Sequence, residues 1–164
     1  MSLQAIVQLL ERIDEIHHQL LTIAESKIEK IKSGDMPSIE ALVREETKLV
    51  RKLETTEVLR SRVVQTFLQE KGEATENATI SDIKNYVTET EQQQLSKLQE
   101  AIIAQAVNLK TVNDLNQSLI EESLRFVNLS LDLMVPHKED ISYSPRHRDD
   151  KPFERGRSLF DSKA

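Results

Sequence analysis

Residues 89–135, ETEQQQLSKLQEAIIAQAVNLKTVNDLNQSLIEESLRFVNLSLDLMV, decide the fold. Neither Gly nor Pro occurs among them, so nothing in the stretch interrupts a helix. At 1.5 Å per residue such a helix reaches roughly 70 Å. Arranged in sevens, one row reads Leu98, Gln105, Val112, Leu119, Phe126, Leu133, and the adjacent row reads Leu95, Ile102, Leu109, Asn116, Ser123, Ser130. Two neighbouring rows at this spacing form the seam of a coiled-coil-like helix pair. Thr88 and Glu91, three apart at its start, have the form of a capping box.

Working back toward the N-terminus, residues 3–31 carry the same kind of stripe in Leu3, Ile6, Leu10, Ile13, Leu20, Ala24 and Ile31, widened by Leu9, Ile16 and Ile23. A face that wide touches two neighbours. Ser33-Gly34-Asp35-Met36-Pro37 ends this helix, with Gly34 suited to the left-handed cap and Pro37 to the first turn of the next. A second helix is predicted over 37–70. Its stripe is Ile39, Leu42, Val43, Leu49, Val50, Leu53, Leu59, Val63 and Phe67, interrupted by Glu46, Thr56 and Arg60. Residues 71–78 read as a loop, and residues 80–87 as a short helix capped by Thr79. The fold class is all-α, an antiparallel bundle of three long helices plus one short one. After Pro136 the period is lost, so residues 1–135 are expected to form the bundle and 136–164 a flexible tail.

Composition agrees. The 164 residues include 3 Gly, 4 Pro, no Trp and no Cys, and 30% are charged. Without cysteine there is no disulfide, thiolate nucleophile or zinc–thiolate site, which fits a reducing, cytoplasmic setting. Met-Ser-Leu-Gln-Ala at the N-terminus has no basic n-region, and no stretch approaches the roughly 20 apolar residues of a membrane span. Neither a signal peptide nor membrane insertion is expected. The net charge of -6 opposes nucleic-acid binding. Residues 1–134 hold 15 basic and 22 acidic side chains, whereas 135–164 hold 7 and 6.

The last helix changes character at Leu119. Beyond it two further rows become apolar: Ile120, Val127, Met134, and beside them Leu124, Leu131. Upstream those rows hold Gln99, Lys110, Asn113 and Gln117, so the apolar arc widens to about half the circumference only near the end. Two explanations stand side by side. This end is core, enclosed by the first two helices, or it is a groove for a partner helix, with Ser123 and Ser130 leaving room for close approach. The greater length of the last helix favours the groove, because an apolar end that projects past its neighbours must be covered by something. Asn116 and Asn113 lie near the seam, where an Asn fixes register and partner choice.

Candidate chemistry is sparse. Glu15 and His18 form one Glu-x-x-His of the kind a di-iron bundle uses, with His17 alongside, but the required second copy is missing. No phosphate loop, Ser-His-Asp set or carboxylate pair can be assembled. The expectation is no cofactor, no metal and no enzymatic activity. In the tail, Phe153, Leu159 and Phe160 stand within Phe153-Glu154-Arg155-Gly156-Arg157-Ser158-Leu159-Phe160-Asp161, a pattern that suits either a short docking peptide or a solvated tail.

Asn113-Asp114-Leu115-Asn116-Gln117-Ser118-Leu119-Ile120-Glu121-Glu122-Ser123-Leu124 resembles the Asn-x-x-Asn-x-x-Leu-Ile-x-x-Ser-Leu stretch of FlgN-type flagellar export chaperones. The order of parts over 1–135 is similar as well, and Glu57 and Arg60 resemble a Glu-x-x-Arg found in that family. The resemblance implies a cytoplasmic chaperone that binds the C-terminal helices of flagellar hook-associated proteins and delivers them to the type III export gate. It implies a partner surface of Asn116, Leu119, Ile120, Ser123, Leu124, Phe126, Val127, Ser130, Leu131 and Met134. A monomer or weak dimer is then expected, with the tail cluster touching the export gate or filling the groove when it is vacant. The alternative is a structural or regulatory coiled-coil homodimer.

Overall fold

A computed structural model of the chain describes residues 3–73 and 77–135. Four α-helices follow in order: α1 (Leu3–Ser33), α2 (Met36–Glu70), α3 (Ile80–Ile83) with a 3-10 turn at Lys84–Tyr86, and α4 (Glu89–Met134). No strand occurs among the described residues. The chain divides into two units, Met1–Phe126 and Val127–Ala164, so that α4 belongs to both.

Each helix boundary has a local cause. Gly34 adopts φ +69°, the left-handed position that closes α1. Asp35 caps α2, its carboxylate accepting from the Ser38 backbone N–H at 3.2 Å and the Ser38 hydroxyl at 2.6 Å. These bonds hold the Asp35 carboxyl below its ordinary range. The Thr79 N–H and hydroxyl both donate to Asp82, at 2.8 and 2.7 Å. The Thr88 N–H and hydroxyl donate to Glu91 at 2.9 and 2.8 Å, which is the capping box read from the sequence. Hydrogen bonds from Thr79 and from Thr88 lower Asp82 and Glu91 respectively. The Tyr86 hydroxyl donates to Glu73 at 2.7 Å, which pushes the phenol up.

The core of the first unit gathers at one end of the hairpin. Ile6, Val7 and Leu10 of α1 meet Val64, Phe67 and Leu68 of α2, Ile80 and Ile83 of α3, and Leu95 of α4. Thus α1 and α2 are antiparallel, and α4 begins level with the start of α1. Leu98 and Ile102 extend the contact upward. Farther along, the Asn116 side-chain amide donates to the Ala24 carbonyl at 2.8 Å. Both contacts give the same sense: α4 runs parallel to α1 and antiparallel to α2.

The α1 stripe is buried as its spacing predicts, at Ile6, Leu10, Ile13, Ile16, Leu20, Ala24 and Ile31. The α2 stripe faces inward as well: Phe67 is buried and Ile39, Leu42, Leu49, Leu53 and Val63 are half-buried, while Val43, Val50 and Leu59 at its edges are exposed. The same face carries buried Thr56, Val64 and Leu68, with Glu46, Glu57 and Arg60 half-buried on it. The polar residues that interrupt the stripe thus lie on the inward face. They are tolerated there because their polar atoms are satisfied locally. The Thr56 hydroxyl donates to the Lys52 carbonyl at 2.7 Å, and Arg60 Nε donates to Glu57 Oε2 at 2.8 Å. Lys27 and Glu46 join α1 to α2 through a largely buried 2.6 Å ion pair.

Candidate partner-binding surface

Within the first unit α4 loses its cover from one end to the other. Leu95 is fully buried, and Leu98, Ile102, Leu109, Val112 and Leu119 are half-buried in the two seam rows. Ile120 and Leu124, on the added rows, are exposed, Leu124 at 58%. Phe126 continues a seam row yet is 71% exposed. The register accounts for Phe126, which passes the end of α1. Ile120 and Leu124 still lie level with α1 and are exposed because they sit on the added rows outside the seam. Ala24 and Asn116 are 92 residues apart, and the same separation carried to Ser33, where α1 ends, reaches Arg125. The explanation that these side chains are enclosed core is therefore not what the structure has. They are apolar and face outward, which soluble surfaces seldom allow in a contiguous patch.

In the second unit the described residues are Val127–Val135, helical as far as Met134. Val127 is 50% exposed and Met134 78%, and Leu131 is exposed as well. Ser130 is half-buried. Ser123, in the first unit, is exposed and donates its hydroxyl to the Leu119 carbonyl at 2.8 Å, which leaves it a short side chain with its donor satisfied.

Asn116 requires separate treatment. It is 4% exposed and turned into the α1–α4 seam, so it belongs to the seam rather than to the outward surface. The cause is its place in the row of Leu95 and Leu109, opposite Ala24, whose small side chain lets the amide reach the α1 backbone. Above the apolar base this seam turns polar. Among the described residues, one buried side-chain oxygen each of Asp14, Gln105 and Asn116 has no protein hydrogen-bond partner.

Several residues escaped the sequence reading. Leu115, Leu129 and Leu133 are also exposed and apolar. Leu133 was read as the last member of the row of Phe126 but was left out of the partner surface. Ile103 and Val107, exposed nearer the base, stand among polar neighbours and gave no periodic signal. Ile103 borders a cleft of about 270 Å³ between α2 and α4, floored by Leu10, Ile80 and Ile102 and rimmed by Glu57, Arg60 and Gln99. Phe153, Leu159 and Phe160 lie outside the described residues.

No metal site is assembled: among the described residues no three His, Asp or Glu side chains converge. His17 Nδ1 lies 2.9 Å from the Ile13 carbonyl, its own helix's backbone, while His18 and Glu15 are exposed. Among the described residues no helix is long and apolar enough to cross a membrane.

A long helix with exposed apolar side chains in its last turns is the kind of surface that helix-binding proteins use. Comparison with known proteins gives the class a family: residues 1–149 match the FlgN protein family, and the chain belongs to it. It is 32% identical, over the full length of both chains, to the uncharacterized protein YvyG of Bacillus subtilis (strain 168). No solved structure matches. FlgN proteins are chaperones of flagellar export and not enzymes, so the chain's place is in flagellum assembly.

Proposed function

We propose that the chain is a cytoplasmic chaperone for flagellar hook-associated proteins. It covers the C-terminal helical segment of such a subunit, prevents its premature association and presents it to the export apparatus. The observation that carries this reading is the set of exposed apolar side chains on upper α4, Ile120, Leu124 and Phe126 in the first unit and Val127, Leu131 and Met134 in the second, with Leu119 half-buried beside the first of them. Export subunits have amphipathic terminal helices whose apolar faces are buried only on assembly. A complementary apolar helix shields such a face by burial alone, with no nucleotide or cofactor. Ser123 and Ser130 leave space for the incoming backbone. Phe153, Leu159 and Phe160 are read as a docking cluster that contacts the export gate.

Size-exclusion chromatography with light scattering tests the proposal, on the chain alone and mixed with C-terminal fragments of hook-associated proteins. A monomer or weakly associated chain that forms a one-to-one complex with one fragment is the expected result. A tight homodimer that binds no fragment would establish the structural coiled coil instead, with the same face used by a second copy.

A further inference from the structure

The cleft between α2 and α4 lies far from upper α4 along the helix but on the same face. Gln99 at its rim begins the row Gln99, Ala106, Asn113, Ile120, and Ile103 begins the part of the next row that runs Ile103, Lys110, Gln117, Leu124. A partner helix that supercoils along α4 follows such heptad rows. It would leave Ile120 and Leu124, cross a polar stretch, and arrive at Ile103. The rise from Ile103 to Ile120 is about 26 Å at 1.5 Å per residue.

We propose that this cleft is a second anchor for the exported subunit, taking one large apolar side chain from the same helix that covers upper α4. The inference rests on the reading of upper α4 as the client surface. Three features suit that occupant. The volume of about 270 Å³ has ample room for one large apolar side chain. Its floor is aliphatic, and Ile103 at its edge is 55% exposed. Its rim carries Arg60, which spends Nε on Glu57 and among the described residues makes no hydrogen bond through its terminal nitrogens. Arg60 lines the cleft, so those donors are available to an acceptor on the incoming segment, a carboxylate or a C-terminal helix carbonyl. The occupant is therefore a client helix of about 18 residues or more, with a Leu, Met or Phe toward one end followed by an acceptor. The cleft would select among subunits by length and spacing, where the broad apolar face of upper α4 selects only for amphipathicity.

The test uses the full chain and the hook-associated fragment that co-elutes with it. Binding is measured by titration calorimetry for wild type, Ile103→Asp, Leu124→Asp and Thr111→Asp, the last on an exposed polar row as control. Ile103→Asp is expected to weaken binding by about tenfold or more, a loss typical of a truncated hot-spot contact, while Thr111→Asp matches wild type. Wild-type affinity in a helical Ile103→Asp chain, alongside a loss in Leu124→Asp, would overturn the second anchor and leave the client surface standing. Wild-type affinity in both would overturn both. Because the chain has no cysteine, Ile103→Cys can also carry a polarity-sensitive dye if the charged variant folds poorly. A blue shift on adding the fragment supports the anchor, and an unchanged spectrum contradicts it.

Discussion

The base and the upper part of α4 carry apolar side chains at the same spacing, yet they meet opposite fates. Leu95 is sealed into a nine-residue core drawn from all four helices, whereas Leu124 and Phe126 face outward. The helix itself does not make the difference. What stands opposite does: at the base α1, α2 and α3 converge on Leu95, whereas Leu124 lies on a row outside the α1 seam and Phe126 passes the end of α1. Between the two regions lies a seam in which the Asn116 amide donates to the Ala24 carbonyl. One helix is thus a structural member at one end and, in the proposed function, a binding surface at the other. Apolar spacing marks both uses and cannot tell them apart.

This contrast can be broken most sharply at Leu95. Leu95→Ala should cost about 2–5 kcal/mol, as removal of a fully enclosed leucine does, measured by urea denaturation. Leu124→Asp in the same assay should shift stability by no more than about 0.5 kcal/mol, because the side chain is already largely in water. Equal losses in the two variants would mean that upper α4 is core after all. Asn116→Ala probes the seam between the regions. It removes the bond to the Ala24 carbonyl, and a loss of about 1 kcal/mol is expected; an unchanged midpoint would assign the register of α4 to the base alone.

The smallest effect is expected from acid. Asp35, Asp82 and Glu91 are depressed in the folded chain by hydrogen bonds from Ser38, Thr79 and Thr88. A depressed carboxyl stabilises the fold above its unfolded value, and that contribution is lost as pH falls through the folded value. Thermal melts should therefore be flat near neutrality and decline once pH drops below about 4, the ordinary carboxyl range. Glu91→Gln should show a shallower decline than wild type, and an identical slope would show that the α4 cap does not contribute.

Much of this was legible in the residues. The α1 stripe, the stop at Gly34, the Thr79 cap and the Thr88–Glu91 box follow from local chemistry, and the structure has all of them. Upper α4 was marked by the widening of its apolar arc at Leu119, but whether the added rows were covered depended on which of them the neighbouring helices pack against, a tertiary arrangement that spacing within α4 does not carry. The face of α2 was legible too, apart from Val43, Val50 and Leu59, which are exposed at its edges. Its polar members are tolerated because Glu57 and Arg60 satisfy each other and the Thr56 hydroxyl bonds its own helix backbone. The cleft beside Ile103 had no signature in sequence, since its walls come from four separate helices.

The most direct test of the central claim is made at Val127, half-exposed on upper α4. The Val127→Asp chain is titrated with the hook-associated fragment that wild type retains, and its helicity and melting temperature are recorded in parallel. Binding lost with helicity and melting temperature preserved is the predicted result, because a carboxylate in a desolvated contact is costly while the same carboxylate in water is not. Wild-type affinity, or a collapse of the fold together with binding, would contradict the account.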